Sequence, residues 1–476
     1  MTVQEQNKLL YARAAFGISL NNYLSPTPIE KSIEQLFPKA SPGRLETITA
    51  EEWAQNTPKM LKSIGDDMQR KEMQKTFRQR IGELNLLWMQ AMVDTQYPLL
   101  EKMTIFWHGH FAARSENPYF GQLLLNELRH NALGNFGDLL RSVSKSPEML
   151  QFLNNQQNRK MHPNENFARE VMELFTLGRG HYTEQDIKEA ARAFTGWGFD
   201  EFGAFTFRKG QHDDGEKTFL GKTGNFNGDD ILNILLAQKQ TALYITQKIY
   251  RYVVSDDKIN EKRVKDLSTH FYDSNYDISA LLKRMFTADW FYTSEIPGSK
   301  IKSPIDLLVG YQRMFPVDFK NPRIVINLQR VLGQYLFFPP NVAGWPGGKD
   351  WIDSSSLVIR MRLPEALFAS KELDLTAKEI DAEMNEANKK PLMQDGHASQ
   401  QFTVGKASVD WAAYIKSLKA YNRNDVAGVL AHYLLPIPIA PEKLEQINGF
   451  ADKRSDEDYI KSITILLMEL PEYQLC

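Results

Sequence analysis

The sequence predicts a mainly α-helical protein: a large multi-helix globular bundle with a small β-hairpin or loop insertion near residues 197–226. Three observations support this fold class. Apolar residues recur at intervals of three and four through most of the chain, which is the spacing of one helix face. Polar cap residues and prolines stand just before many of these stretches. Strand-like alternation is confined to one glycine-containing stretch, GWGFDEFGAFTFRKG.

The predicted helices can be followed along the chain. The stretch IGELNLLWMQAMVDTQYPLLEKMTIFW has helical spacing on both sides of Pro98, which marks a break. Ser146 and Pro147 suit a helix cap and the first helical position. Thr183 and Asp186 match a variant of the capping box. The same apolar spacing is found in NFGDLLRSVS, DDILNILLAQ, ALYITQKIYRYVV, ISALLKRMF and DEDYIKSITILLMEL.

Composition restricts the class of protein and the kinds of site. The formal charge is −2, and Lys and Arg are interspersed with Asp and Glu, so nothing indicates a nucleic-acid partner or an anionic membrane surface. The single cysteine, Cys476, rules out an intramolecular disulfide and a cysteine-rich zinc site. The sequence shows no signal-peptide pattern and no apolar run long enough for a membrane span. We therefore expect a cytoplasmic protein without a membrane span.

The motif FWHGHF places two histidines one residue apart between aromatic residues. On a helix, His110 falls on the same face as Leu99, Met103 and Phe106, whereas residues two apart do not share a face. At most one of the two histidines can therefore bind a given metal ion. We predict that His110 points inward, as a core histidine with one hydrogen bond or as a site residue, and that His108 points outward. The glycine between them indicates close packing or a helix irregularity.

A second candidate lies in MHPNENFAREVMELFTLG. Glu165, Arg169 and Glu173 are four residues apart, which is typical of a surface ion-pair ladder. Glu170 flanks an apolar helix stripe, so we expect it to be half-buried and to need a partner. With a histidine from another helix it could serve as a metal ligand, an acid/base group or a structural hydrogen-bond acceptor. The sequence does not choose between these roles.

A third candidate is the segment QHDDGEKTFLGKTGNF. Its glycines are similar to those of a phosphate-binding loop, but Gly215 and Gly221 enclose five residues where that motif has four, and no buried strand precedes them. We therefore exclude nucleotide binding here. His212 beside Asp213 could contribute to a metal or acid/base site, although such pairs are also common in exposed turns.

Two further stretches differ in composition from the helical segments. The loop FFPPNVAGWPGGKDWIDSSS, rich in proline and glycine, could line a site or close one end of the helical core, and we favour the second. The polar stretch 373–401 is predicted to be an excursion or a partly mobile connection. No Gly-x-Ser-x-Gly elbow and no His-Glu-x-x-His pattern occurs, so a serine triad is not supported.

Several motifs, in this order, resemble the bacterial family named domain of unknown function 1800: LLYARAAFG, FWHGHF, NRKMHPNENFAREVMELFTLG, YTEQDIKEAARAFTGW, HDDGEKTFLGKTGNF, IKSPIDLLVG and PPNVAGWPGGKDWIDSSSLVIRMR. The resemblance covers essentially the whole chain. It implies that residues 1–476 form a single family-spanning helical domain, with 373–401 as a polar excursion within it. It carries no established reaction. Because genes of the family often accompany those of an uncharacterised family similar to alkaline phosphatases and sulfatases, it implies a companion protein of that superfamily.

The resemblance also selects residues. The polar positions that match the family's motifs are His108, His110, Asn164, Glu165, Asn166, Arg169, Glu170, Glu173, His212 and Asp213. His162 stands where the family usually has other residues, so we assign it no catalytic role. The start of the chain keeps Arg13 but lacks the family's N-terminal histidine, and some members carry export signals that this sequence lacks.

Three hypotheses for function follow. In the first, the chain is a metal-assisted hydrolase or a ligand-binding protein; Glu170, His110 and Arg169 act in catalysis, and His110, His212, Asp213 and Glu170 hold a divalent metal. In the second, it is a non-catalytic partner or scaffold of the phosphatase/sulfatase-like companion. In the third, the polar residues form only buried hydrogen-bond networks. We place the first ahead of the second. The sequence identifies neither a reaction nor a substrate.

Overall fold

Helix boundaries in the computed structural model follow several of the predicted signals. A helix begins at Pro98, as the break predicts. Thr183 and Asp186 form a reciprocal capping box: the Asp186 N–H donates to Thr183 Oγ1 at 3.1 Å, and the Thr183 N–H donates to the Asp186 carboxylate at 2.9 Å. Pro147 occupies the first turn of its helix, but the Ser146 hydroxyl makes no capping hydrogen bond. The structure describes residues 1–65, 67–319, 321–369, 374–376, 401–403 and 407–476.

The fold is mainly α-helical, as predicted. The α-helices of the described residues are α1 (Val3–Ala14), α2 (Leu20–Leu24), α3 (Ile29–Leu36), α4 (Ala50–Ser63), α5 (Asp67–Asp94), α6 (Pro98–His110), α7 (Pro118–Asn131), α8 (Phe136–Lys145), α9 (Pro147–Phe152), α10 (Asn166–Glu170), α11 (Glu184–Ala193), α12 (Gly228–Leu236), α13 (Lys239–Val253), α14 (Glu261–Asp273), α15 (Ile278–Phe286), α16 (Pro304–Met314), α17 (Arg323–Leu332), α18 (Ser354–Phe368), α19 (Ala412–Leu418), α20 (Arg423–Leu434), α21 (Pro441–Phe450) and α22 (Asp456–Met468).

Short strands interrupt the helices. They are β1 (Trp197–Phe199), β2 (Phe205–Phe207), β3 (Lys217–Phe219), β4 (Lys222–Gly224), β5 (Val317–Phe319), β6 (Asp374–Thr376), β7 (Gln401–Thr403) and β8 (Ala407–Val409). Two antiparallel pairs, β1–β2 and β3–β4, lie within the predicted insertion. Two further antiparallel pairs lie outside the insertion: β5 pairs with β8, and β6 pairs with β7. A three-residue strand is too short to show alternation in the sequence.

The polar excursion predicted at 373–401 falls mostly outside the described residues. At its two ends, β6 and β7 pair with each other, with Asp374 opposite Thr403 and Thr376 opposite Gln401. Within the described ranges, no helix has the length and apolar character needed to cross a bilayer.

Two large apolar clusters form the interior, and helix α6 contributes to both. Leu99, Met103 and Trp107 belong to the first cluster, with residues of α7 to α15. Ile105 belongs to the second, with residues of α5, α16 to α20 and α22. As a result, every residue of α6 except Phe106 and Gly109 is buried. A helix that is enclosed on all faces must also enclose its polar side chains.

The charged residues of α6 are each paired inside the protein. Glu101 receives the guanidinium of Arg129, with an Nη2–Oε1 distance of 2.6 Å, and its other oxygen accepts from Trp88 Nε1 at 2.9 Å. The ammonium of Lys102 forms an ion pair with Asp306, in the first turn of α16. These pairs fix α5, α7 and α16 around α6.

Removing one member of the Glu101–Arg129 pair should destabilise the fold strongly. In Arg129→Met the Glu101 carboxylate stays buried without its cation, and breaking such a pair costs about 3–5 kcal/mol. Equilibrium urea unfolding measures the loss. The exposed pair of Arg141 and Asp138 supplies the control, since Arg141→Met should cost about 0–1 kcal/mol. Equal losses in the two variants would contradict the role given to the buried pair.

Candidate functional site

His110 lies at the end of α6 and is 5% exposed. Its Nε2 is 3.2 Å from the main-chain oxygen of Phe175; a carbonyl oxygen only accepts, so Nε2 carries the hydrogen. The rings of Phe106, Trp107 and Phe136 surround the imidazole. Its Nδ1 is buried without a partner among the described residues. Burial holds the pKa of His110 well below its usual range, so the ring is neutral.

The prediction that His108 points outward is wrong. His108 is 2% exposed, and its Nε2 accepts the main-chain N–H of Phe337 at 3.1 Å. Its ring packs against Trp88 and Trp345. The error arises because α6 has a cluster of apolar residues on both sides, so two opposite faces are both interior. Burial lowers the pKa of His108 to about 3.

The glycine between the histidines marks a close approach of two backbones. A Cβ atom built on Gly344 would lie 2.2 Å from the main-chain oxygen of Gly109, so the proline- and glycine-rich loop packs directly on α6. Gly344 has a φ of +87°, a conformation that glycine adopts without strain. The predicted close packing at Gly109 is present.

The ion-pair ladder predicted for Glu165, Arg169 and Glu173 is formed only in its first half. Arg169 lies 3.4 Å from Glu165, but Glu173 pairs with Arg179 at 2.5 Å. The cause is a π-helix at Val171–Thr176, directly after α10. Its wider turn changes which residues share a face, so positions four apart no longer align.

Glu170 is half-buried at the end of α10. It has no hydrogen-bond partner among the described residues. Burial, followed by the neighbouring charge of Glu173, raises the pKa of Glu170. Arg169, beside it, makes two hydrogen bonds of 2.9 Å with Glu184.

His212 and Asp213 are each bound to other groups. His212 Nδ1 lies 2.9 Å from the main-chain oxygen of Thr195 and donates to it. Asp213 receives Arg192 through Nε at 2.7 Å and Nη2 at 3.2 Å. The bond to Arg192 is the main reason that the pKa of Asp213 lies below its usual value. The pair therefore ties the segment before β3 to the end of α11 and the turn that follows it.

The structure shows no hydrogen bond or ion pair between any two of His110, Glu170, His212 and Asp213 in its described residues. In that same part of the chain, no group of three or more His, Cys, Asp or Glu side chains is arranged to hold a metal ion. The metal-assisted hydrolase therefore stays a prediction. Elemental analysis of the purified protein would test it.

The proline- and glycine-rich loop lines a cleft of about 970 Å³ with Gly347–Asp350, so it does more than close the helical core. The charges in this cleft are largely paired with one another. Asp256 binds Lys300 at 2.5 Å, and Asp257 binds Lys349 at 3.1 Å. A ligand would have to compete with these pairs.

A second cavity, of about 560 Å³, lies between α1 and the segment that follows α20; we call it the α1–α20 pocket. Its walls are mainly apolar and include Leu9, Phe16, Leu435, Ile437 and Ile439. Ligand sites of proteins are typically cavities of about 300–1,000 Å³ with apolar walls and a few polar groups. The size and lining of this cavity fit that description.

Two ammonium groups line the α1–α20 pocket. Lys302 Nζ donates to the main-chain oxygen of Tyr473 at 2.6 Å and lies 3.5 Å from the centre of the Tyr473 ring. Lys8 Nζ donates to the main-chain oxygens of His432 at 2.5 Å and Leu435 at 2.8 Å. Burial lowers the pKa of each lysine to about 8.

The two side-chain carboxylates of the pocket already have partners. Asp306 is paired with Lys102 and accepts the main-chain N–H of Ser303 at 3.2 Å. Glu5 accepts the main-chain N–H of Thr2 at 2.8 Å in a capping box. None of the pocket's charged residues was predicted as a site residue. The one available signal was the motif IKSPIDLLVG, which contains a lysine and an aspartate of the pocket.

Comparison with known families extends these observations. A family model described as "Protein of unknown function (DUF1800)" matches residues 9–475 of the 476 residues, which confirms the resemblance seen in the sequence. No protein with a curated description and no solved structure matches the chain significantly.

The buried neutral histidine at 108 should make stability depend on pH. Its pKa of about 3 lies below the usual value of about 6.5, so acid protonates the unfolded chain first. The contribution of the neutral His108 to the free energy of unfolding is complete above about pH 6.5. Below that pH it falls by about 1.4 kcal/mol per pH unit, down to about pH 3. In His108→Gln this loss is absent. The gap in unfolding free energy between wild type and variant should therefore narrow from pH 6.5 to pH 4.

Urea unfolding at several pH values measures that gap. His162 is exposed, so His162→Gln makes the same chemical change at the surface and should follow the wild type at each pH. A gap between wild type and His108→Gln that stays constant with pH would show that His108 is protonated equally in the folded and unfolded protein.

Proposed function

The chain belongs to the DUF1800 family, whose description assigns no function, and on that premise we propose that it binds an amphipathic anion in the α1–α20 pocket. By amphipathic anion we mean a small molecule with an apolar body and one acidic group. The observation that carries the proposal is the buried ammonium of Lys302 on the wall of a mainly apolar cavity.

The apolar walls would supply most of the affinity. Leu9 and Phe16 on one side and Leu435, Ile437 and Ile439 on the other enclose the space. Burial of apolar surface contributes about 25 cal/mol per Å². An alkyl chain or an aromatic ring system would therefore be favoured over a polar ligand of the same size.

The unused hydrogen-bonding capacity of the pocket belongs to donors. An ammonium has three N–H groups, and Lys302 uses one of them on the main chain of Tyr473. Lys8 uses two of its three. Because Asp306 and Glu5 already have partners, the free donors select an acceptor with negative charge, such as a carboxylate, over an amine or a cation.

The charges around Lys302 are mixed. Burial is the main reason that the pKa of Lys302 is lowered; the negative charges at Cys476 and Asp306 raise it, and Arg360 and Lys8 lower it to a smaller extent. A bound anion would compensate the burial of the ammonium and the repulsion from these two cations. It would also stabilise the protonated amine, so binding should weaken as the pH rises above about 8.

Binding of dodecanoate, compared with uncharged dodecanol, tests the proposal by titration calorimetry. Lys302→Met should weaken dodecanoate binding about 10–100-fold, because a hydrogen bond to a charged group contributes about 1.5–3 kcal/mol. Dodecanol binding should change little. Lys349→Met is the matched control, since Lys349 is 81% exposed in the other cleft. Equal loss of both ligands in Lys302→Met, or no loss, would contradict the role of Lys302.

A second variant tests the location of the site. Gly428 lines the pocket from within α20, and a Cβ atom there would meet nothing within 4 Å. Gly428→Phe should fill the space and abolish binding of both ligands, whereas Gly428→Ala should leave both nearly unchanged. Unaltered binding in Gly428→Phe would place the site elsewhere.

The alternative role as partner of a phosphatase/sulfatase-like companion concerns the protein's outer surface, so it is compatible with a ligand pocket. It stays a prediction from the family resemblance. Copurification of the two proteins from their native cells would test it.

A further inference from the structure

A buried arginine lies behind the wall of the α1–α20 pocket. Arg360, in α18, is 0% exposed. Its Nη1 donates to the main-chain oxygen of Lys302 at 3.0 Å. Its Nε and Nη2 are buried and have no hydrogen-bond partner in the described part of the chain. Arginine stays protonated in proteins, so this is a buried charge with unused donors.

Two other buried side chains also lack partners. The amide of Gln474 is 2% exposed, and neither of its polar atoms has a partner among the described residues. The hydroxyl of Tyr311, which is 1% exposed, likewise has none there. Burial holds the pKa of Tyr311 well above its usual value, so the hydroxyl keeps its hydrogen.

Contacts around Lys302 link Arg360 to the main chain of Gln474. The Lys302 N–H donates to the main-chain oxygen of Gln474 at 2.8 Å, while the Lys302 carbonyl accepts from Arg360. The ring of Tyr311 stacks on Tyr473, the residue before Gln474, with ring centres 5.9 Å apart. The charge of Arg360 also influences the pKa of Tyr311, which requires the two groups to be near each other.

The shared property of this cluster is a surplus of hydrogen-bond donors beside a positive charge. Each buried donor left without a partner costs about 1–3 kcal/mol. The carboxylate of Asp306 acts on Arg360 only at a distance, since its partner is Lys102. Because buried polar groups in native proteins nearly always have hydrogen-bond partners, these donors are expected to have one as well.

We propose that Arg360, Gln474 and Tyr311 form an enclosed site for a small monovalent anion of the halide class, such as chloride. The N–H groups of Arg360 and Gln474 and the O–H of Tyr311 would donate to the ion. Enclosure favours a small monovalent ion, because a larger oxyanion would need more space and a doubly charged one would lose more hydration free energy on entry. The site is separate from the ligand pocket and does not depend on the proposed function.

Thermal unfolding of the full chain tests this site. At constant ionic strength, replacing sodium gluconate by sodium chloride should raise the unfolding midpoint in a saturable manner, because an ion that binds only the folded state stabilises it. Sodium bromide should act similarly. Arg360→Met should abolish the dependence on halide, whereas Arg362→Met, an exposed position in the same helix, should keep it.

A milder variant and a direct measurement complete the test. Should Arg360→Met fail to fold, Gln474→Leu removes one donor and should raise the chloride concentration needed for half of the stabilisation at least tenfold. Crystals grown in sodium bromide should show an anomalous scattering peak beside Arg360. Equal midpoints in gluconate and chloride, or no peak at Arg360, would overturn the proposal and leave water as the partner of these donors.

Discussion

The constraint on which the structure depends is the enclosure of helix α6 between two apolar clusters. A helix that is buried on all faces has no solvent to satisfy its polar groups, so they need partners inside the protein. Glu101 takes Arg129 from α7, and Lys102 takes Asp306 from α16. His108 binds the loop after α17, and His110 binds the π-helix that follows α10. Polar contacts therefore fix the orientation of these elements more specifically than apolar packing alone could.

The local features of the fold were predictable because they depend on residues close in sequence. The capping box at Thr183, the break at Pro98 and the hairpins near 197–226 depend on backbone preferences that a few neighbouring residues determine. The orientation of His108 was not predictable in this way. Periodicity shows which residues share a face of a helix, but not whether the opposite face meets solvent or a second cluster.

The candidate pocket was harder to predict than the fold, for a physical reason. Its polar groups come from α1, from the start of α16 and from the loop after α20, and none of these stretches has a chemical motif of its own. The residues that sequence patterns selected lie on separate elements, and Asp213 is bound by Arg192 of the neighbouring helix. A sequence motif indicates a site most directly when the residues of that site lie within one segment. The polar groups of this pocket come from segments that are far apart in the sequence.

The assembly of the pocket also has a consequence for the folding of the chain. Lys8 and His432 are 424 residues apart in sequence, yet the Lys8 ammonium donates a hydrogen bond to the main chain of His432 in the wall of the pocket. Closing so long a loop costs conformational entropy, which other contacts must offset before this one is stable. Contacts of this kind therefore form late in folding. During synthesis, the apolar face of α1 that lines the pocket cannot pack against the segment after α20 until that segment has left the ribosome. The pocket is thus among the last features to mature, and a ligand that binds there would act on the completed protein.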